Sequence, residues 1–233
     1  MSIEWHIQPD VTASAQALAD AVAEALQQTL AQKNQAVLAV SGGRSPIAFF
    51  QALSSKALDW HKISVTLVDE RIVPIQHQDS NSELVQHYLL QNQAADATWL
   101  PLIDAQADAV ELMDVQKAVN YALQNYRQPD VLVLGMGGDG HTASLFPEAP
   151  QLDLALDTNY TPPLLHITPI TAPHERISMT LAVIEQTSRV FLAIAGAEKK
   201  AVLEQALAGM SKTHPISYVL HSEKMVTHVY FNY

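Results

Sequence analysis

The sequence predicts an α/β protein: a doubly wound, mostly parallel sheet flanked by helices. Two observations carry this expectation. Short apolar runs with β-branched residues alternate along the chain with amphipathic stretches at helical spacing, as in a buried parallel sheet with its crossover helices. Several of those runs also end in glycine-rich or charged turns, and ligands of such sheets bind at the carboxyl ends of the strands. The plan is Rossmann-like, and the absence of a low-complexity linker or internal repeat argues for one domain over residues 1–233.

The elements follow in order. The chain leads through a first strand into a helix over residues 11–33, where Val11, Ala15, Leu18, Val22, Ala25, Leu26 and Leu30 share a face and Asp10 or Thr12 caps the start. Ala36 to Val40 is a buried strand ending in Ser41-Gly42-Gly43-Arg44-Ser45-Pro46. Ile47 to Leu53 is the next helix, with Pro46 suited to its first turn. Ile63 to Val68 is a strand ending in Asp69-Glu70-Arg71, and Asp79-Ser80-Asn81-Ser82 caps a helix through about Leu90. Residues 108–126 form an amphipathic helix interrupted near Pro129. Val131 to Leu134 is a strand that leads into Gly135-Met136-Gly137-Gly138-Asp139-Gly140-His141. The proline-rich stretch 147–173 reads as an irregular excursion, and Arg176 to Ala182 as a strand. Arg189 to Ala195 is a strand, Gly196 opens a helix over 197–207, and Thr227 to Tyr233 alternates as a strand.

Composition narrows the function. The chain is 48% hydrophobic and 16% charged, enough to bury a core. A net charge of −11 argues against nucleic acid as a partner, which needs a basic face. With only 13 Lys and Arg, those placed beside glycine-rich turns carry extra weight. There are no cysteines, so disulfides and thiolate metal sites are excluded. No zinc-type histidine spacing with a third ligand is seen along the chain, and no metal is expected. The first ten residues lack the basic-then-apolar layout of an export signal, and no apolar run approaches a membrane span. The expectation is a cytoplasmic protein acting on a small molecule; the oligomeric state is left open.

The strand ends carry the chemistry. Ser41-Gly42-Gly43-Arg44 has the character of an anion nest at a helix start, with the Ser41 hydroxyl and Arg44 guanidinium as further donors; the alternative is an ordinary strand-to-helix turn. It is not a Walker loop. Arg71 has the chemistry to grip phosphate or carboxylate, with Asp69 and Glu70 orienting it or meeting sugar hydroxyls; the alternative is a solvated loop edge. His141, among glycines, is the candidate base, with Asp139 to orient it; the alternative is a structural His in a turn. Lys199 lies in the first turn of its helix, where a cation opposes the helix dipole unless an anion binds there. Lys200 is expected to face solvent.

Together these segments resemble the glucosamine-6-phosphate isomerase/6-phosphogluconolactonase superfamily. The resemblance runs through Ser41 to Pro46, Val68-Asp69-Glu70-Arg71 with Asp79-Ser80-Asn81, Leu134 to Pro147, Arg176-Ile177-Ser178 and Gly196-Ala197-Glu198-Lys199. The stretch Gly138-Asp139-Gly140-His141-Thr142-Ala143-Ser144-Leu145-Phe146-Pro147 is the specific piece. Arg44 departs from the small residue often found after the paired glycines. The resemblance implies a sheet of the sugar-phosphate isomerase/lactonase type, a phosphorylated sugar lactone as substrate, hydrolysis of that lactone and no cofactor. It makes His141 the general base for water. The deaminases of the superfamily carry a Glu five residues after that His; here the position is Phe146, with Glu148 beyond the proline. That favours lactone hydrolysis over the deaminase/isomerase alternative. A non-catalytic sugar-phosphate sensor is the remaining alternative; such proteins usually carry a fused DNA-binding segment, which the start of this sequence does not announce.

Overall fold

The computed structural model describes residues 3–43 and 45–233, so Arg44 lies outside the described residues. The elements, in chain order, are β1 (Ile3–Gln8), α1 (Val11–Lys33), β2 (Ala36–Val40), α2 (Ile47–Ser54), β3 (Ile63–Leu67), β4 (Asp69–Arg71), α3 (Asn81–Tyr88) and β5 (Thr98–Trp99). They continue with α4 (Val115–Asn125), β6 (Val131–Gly135), α5 (Leu152–Leu156), β7 (Leu164–Ile167), β8 (Arg176–Met179), α6 (Leu181–Gln186), β9 (Arg189–Ala195), α7 (Ala197–Leu207), α8 (Ile216–Leu220) and β10 (Thr227–Asn232). Seven strands form one sheet in the order β1-β10-β9-β6-β2-β3-β5, with every pairing parallel. Its centre is made of near-continuous apolar strands: Leu38, Val40, Val65, Leu67, Leu132, Leu134, Val190 and Leu192 are fully buried. Such runs belong to strands covered on both faces. Helix α1 packs along β10, β9 and β2 and against α2. Its Asp10 cap accepts from Ala13 N at 2.8 Å.

A second, antiparallel sheet of three strands, β4-β8-β7, departs from the sequence expectation. Val68 is the transfer point: its N–H donates to Val40 O at the end of β2, and its carbonyl accepts Met179 N at the end of β8. The charged triplet Asp69-Glu70-Arg71 is therefore a strand of its own, with Asp69 and Glu70 buried, rather than a solvated edge. The stretch 147–173 is likewise not wholly irregular, since it holds α5 and β7. The expected strand over 176–182 stops at Met179. Thr180 then accepts from Val183 N and caps α6, whose Leu181-Ala182-Val183-Ile184 run is buried throughout and so shows no helical period. The expected helix over 108–126 breaks in two. Asp108 accepts the N–H groups of Val110 and Glu111, both at 2.9 Å, in a turn ahead of a 3-10 segment (Glu111–Met113), and Asp114 restarts the helix by capping Lys117 N at 3.1 Å.

Glu70 ties the two sheets to α3. Its fully buried carboxylate accepts Arg71 N (2.7 Å) and Asn81 N (2.9 Å) on one oxygen, and Ser82 N and Ser82 Oγ (both 2.7 Å) with Ser80 Oγ (3.4 Å) on the other. Burial pushes this carboxyl up, and the surrounding N–H and O–H donors pull it back toward the ionised form. Its oxygens also sit at the N-terminus of α3, where the exposed N–H groups of a helix need acceptors. Replacing Glu70 with Ala orphans several buried donors at once; each costs about 1–3 kcal/mol. Urea unfolding of Glu70→Ala is expected to show a loss of about 3 kcal/mol or more, with a smaller loss for Glu70→Gln, which keeps one acceptor oxygen.

Candidate active site

The carboxyl ends of β2, β6 and β9 open onto a cavity of about 290 Å³, at the lower end of small-molecule sites. Ser41, Gly42, Gly43, Asp69, Arg71, His141 and Lys199 all line it, so the predicted strand-end residues converge on one space. Asp139 does not line it but stands behind His141. Arg44 is outside the described residues. Sequence reasoning did not single out Asn81 as more than a cap, or Asn232 at all, and both reach the same wall.

The turn after β2 is pinned to the end of β6. Ser41 N donates to Val133 O at 2.9 Å, and Gly135 N donates to Ser41 Oγ at 3.1 Å, leaving the hydroxyl proton free to donate elsewhere. Gly42 is required by close approach, because a Cβ there would overlap the Asn81 side chain. Asn81 in turn donates Nδ2 to Asp69 O at 3.0 Å. Pro46 serves as the cap residue of α2, one position ahead of its first turn.

The loop after β6 shapes the base. Asp139 Oδ1 accepts both His141 N (3.1 Å) and His141 Nδ1 (2.5 Å). A neutral imidazole that donates from Nδ1 has Nε2 as its proton acceptor, the tautomer a general base needs. The ring lies on Gly137, where any Cβ would overlap it, and packs against Phe146 with centroids 4.1 Å apart. Beyond His141 the chain turns tightly through Ala143, a non-glycine residue at φ 49°. Thr142 Oγ1 bonds Gly135 O (2.8 Å), Ser144 Oγ bonds Asp69 Oδ2 (2.5 Å) and Ser178 Oγ bonds Ser144 N, accepting at 3.1 Å. These bonds over-determine the strained turn. Burial would raise the Asp139 carboxyl, but the hydrogen bond and charge of His141 outweigh it and hold the group below its ordinary value.

Among the described residues, Arg71 and Lys199 are the Lys and Arg side chains that line the cavity. Lys199, in the first turn of α7, has no ion-pair partner among the described residues, and burial pulls its ammonium down. Arg71 donates Nη1 to Asp79 O, and Asp79 is held from the other side by His174 Nε2 at 2.9 Å. Lys200, by contrast, pairs with Glu204 on the helix surface. Arg176, which the sequence reading placed only as a strand residue, stands beside Arg71 without lining the cavity. It is the register partner of Arg71 across β4 and β8, donates to Pro173 O (2.6 Å) and His174 O (2.8 Å), and stacks 5.9 Å from the Phe146 ring centroid. Burial and then the nearby Arg71 pull its guanidinium down. Its sequence signal is an arginine heading a strand, and the structure buries it to 4% exposure.

Comparisons with known proteins place the chain in a family. The model of the family described as glucosamine-6-phosphate isomerases/6-phosphogluconolactonase matches residues 9–228. The chain belongs to that family. A 6-phosphogluconolactonase of Neisseria meningitidis serogroup A is 55% identical over 227 residues, 97% of this chain and 98% of that protein. One from Helicobacter pylori strain 26695 is 41% identical over 216 residues, 92% of each. A crystal structure of a 6-phosphogluconolactonase from Shewanella baltica OS155 superposes with a TM-score of 0.89 at 34% identity, covering 99% of this chain and 98% of that one. A monomeric glucosamine-6-phosphate deaminase also superposes, with a TM-score of 0.74 at 18% identity over 98% of this chain and 97% of its own; that likeness shows the fold alone. Among the described residues, no helix is long and apolar enough to cross a membrane.

The Asp139–His141 pair has a signature in stability against pH. A carboxyl lowered by folding adds stability that is fully present above its unfolded value, about 3.9, and is lost as pH falls through the lower folded value. The stability difference between the protein and Asp139→Asn is therefore expected at pH 7 and should shrink below about pH 4; urea unfolding of both at each pH measures it.

Proposed function

We propose that the protein hydrolyses 6-phospho-D-glucono-1,5-lactone to 6-phospho-D-gluconate, the second step of the oxidative pentose phosphate pathway. The observation that carries the reading is the imidazole of His141, oriented by Asp139, on the wall of a cavity that also presents Arg71 and Lys199. The names of the relatives, at up to 55% identity over nearly the whole chain, support the same reaction.

In the proposed mechanism the 6-phosphate sits against the Ser41–Gly43 turn, Arg71 and Lys199. Its charge then offsets the burial that weakens the Lys199 ammonium and the unfavourable dipole at the start of α7. With the phosphate anchored, C1 of the lactone lies toward His141. Nε2 removes a proton from water as the hydroxide oxygen bonds to C1, giving a tetrahedral oxyanion that nearby N–H groups or a cation stabilise. Collapse breaks the bond from C1 to the ring oxygen, and the imidazolium returns the proton to that oxygen. Water balances the reaction without a further reactant. Binding energy from the remote phosphate positions the reacting carbon.

The deaminase alternative is not favoured. Phe146 occupies the place where a deaminase carries its Glu, and its ring is packed between His141 and Arg176. Glu148, the next carboxylate along the chain, is exposed and does not line the cavity.

With freshly generated lactone and acid release as the readout, His141→Ala is expected to lower kcat by roughly 10²–10⁴-fold. Near-unchanged turnover would remove His141 as the base. Arg71→Ala and Lys199→Ala are expected to act mainly on KM, each raising it about 10- to 100-fold, the worth of a hydrogen bond to a charged group. Unchanged KM in both variants would defeat the phosphate pocket.

A further inference from the structure

Far from the cavity, the first and last strands bring three ligand-type atoms together. Parallel pairing sets Glu4 beside His228 and His6 beside Tyr230. His6 Nε2 lies 3.4 Å from His228 Nδ1, and His228 Nδ1 lies 3.2 Å from Glu4 Oε2. The His6 ring is stacked on Tyr230 at 4.4 Å, which fixes its plane. We propose that Glu4, His6 and His228 form a binding site for a divalent transition-metal ion, with Zn²⁺ as the matching ion, that clamps the edge strand β1 to β10.

Geometry carries the proposal. Tetrahedral bonds of about 2.0–2.1 Å to nitrogen and oxygen place neighbouring donor atoms roughly 3.3–3.4 Å apart. The separations of 3.4 and 3.2 Å lie close to that spacing, and all three donor atoms lie within 4.8 Å of one another. Protons satisfy the arrangement poorly. If His228 Nδ1 carries the proton for Glu4, it offers no lone pair to His6. If His6 Nε2 carries the proton instead, the Glu4 carboxylate faces a lone pair on His228. A cation at the centre serves all three. Two imidazoles with a carboxylate suit Zn²⁺, with the fourth position left to water on the open side.

The surrounding charges permit a cation. Glu24 of α1 lines the same groove. Of the opposing cations there, Lys224 is paired with Glu185 at 2.5 Å, and Arg189 is turned to Ser188 O and Gln28 Oε1. Ligand spacing along the chain gave no hint, because the donors sit on strands at opposite ends of the sequence and meet only through the sheet register. The other such cluster among the described residues, His77-Asp79-His174, is less suited. His77 Nδ1 is occupied by Asp79 N at 3.1 Å, and the guanidinium of Arg71 is held close by on the Asp79 backbone carbonyl.

The test is calorimetric titration of the tag-free, metal-stripped protein with Zn²⁺, and with Co²⁺ read by its tetrahedral absorption bands. One equivalent is expected to bind, with bands from Co²⁺. His6→Asn and His228→Asn are expected to weaken binding by about 100-fold or more, beyond the ~10–100-fold cost of losing an outer-shell partner. Glu4→Gln, at an exposed carboxylate, should weaken it by at least about 10-fold. No binding by the unaltered protein overturns the proposal. So does binding that survives in all three variants, or binding that is abolished instead by His174→Asn or His141→Asn.

Discussion

The carboxylate of Glu70 is buried, has no cationic partner at hydrogen-bond distance among the described residues, and is surrounded by backbone and hydroxyl donors. A polar group in such a place is tolerable only while its hydrogen-bond partners stay in position. The geometry around it is therefore stiff, and the site inherits that stiffness. On one side Glu70 fixes β4, which presents Asp69 and Arg71. On the other it fixes the first turn of α3, which presents Asn81. Asn81 reaches Gly42 and Asp69, and Asp69 reaches Ser144 in the loop that carries His141. The cation at the cavity wall and the imidazole are thus connected through a short chain of buried polar groups.

Most of the parallel sheet was legible in the sequence because its strands are apolar on both faces and its helices on one. The boundaries of α1, β2, β9 and α7 fall where periodicity and glycine place them. What escaped shares a physical cause. The antiparallel β4-β8-β7 sheet is made of three- and four-residue strands, too short for alternation to register, and β4 is written in charged residues. Helix α6 is buried all round and so lacks a polar face to reveal its period. Asp108 and Asp114 are strong local caps that stop a helix from forming across them.

The candidate site was legible to the extent that its chemistry lies at strand ends. Ser41, Gly42, Gly43, Asp69, Arg71, His141 and Lys199 are brought to one cavity. Asn81 and Arg176 were not distinguished, because what places them is not local. Asn81 works through a glycine 39 positions earlier. Arg176 depends on an antiparallel register that short strands conceal.

Phe146 connects the loop sequence to the proposed chemistry. A carboxylate in its place would stand beside an imidazole and over the buried Arg176, adding a second titrating group next to the base. An aromatic ring instead closes one side of His141 with apolar surface and shares its face with a guanidinium. The imidazole is then bounded by Phe146, by Gly137 beneath and by Asp139 at Nδ1. Nε2 remains as the nitrogen able to accept a proton, on a ring that lines the cavity. An imidazole so confined can deprotonate one water and return one proton, which is what opening a lactone requires. What the deaminase alternative loses is the carboxylate five residues after the imidazole, whose place Phe146 takes.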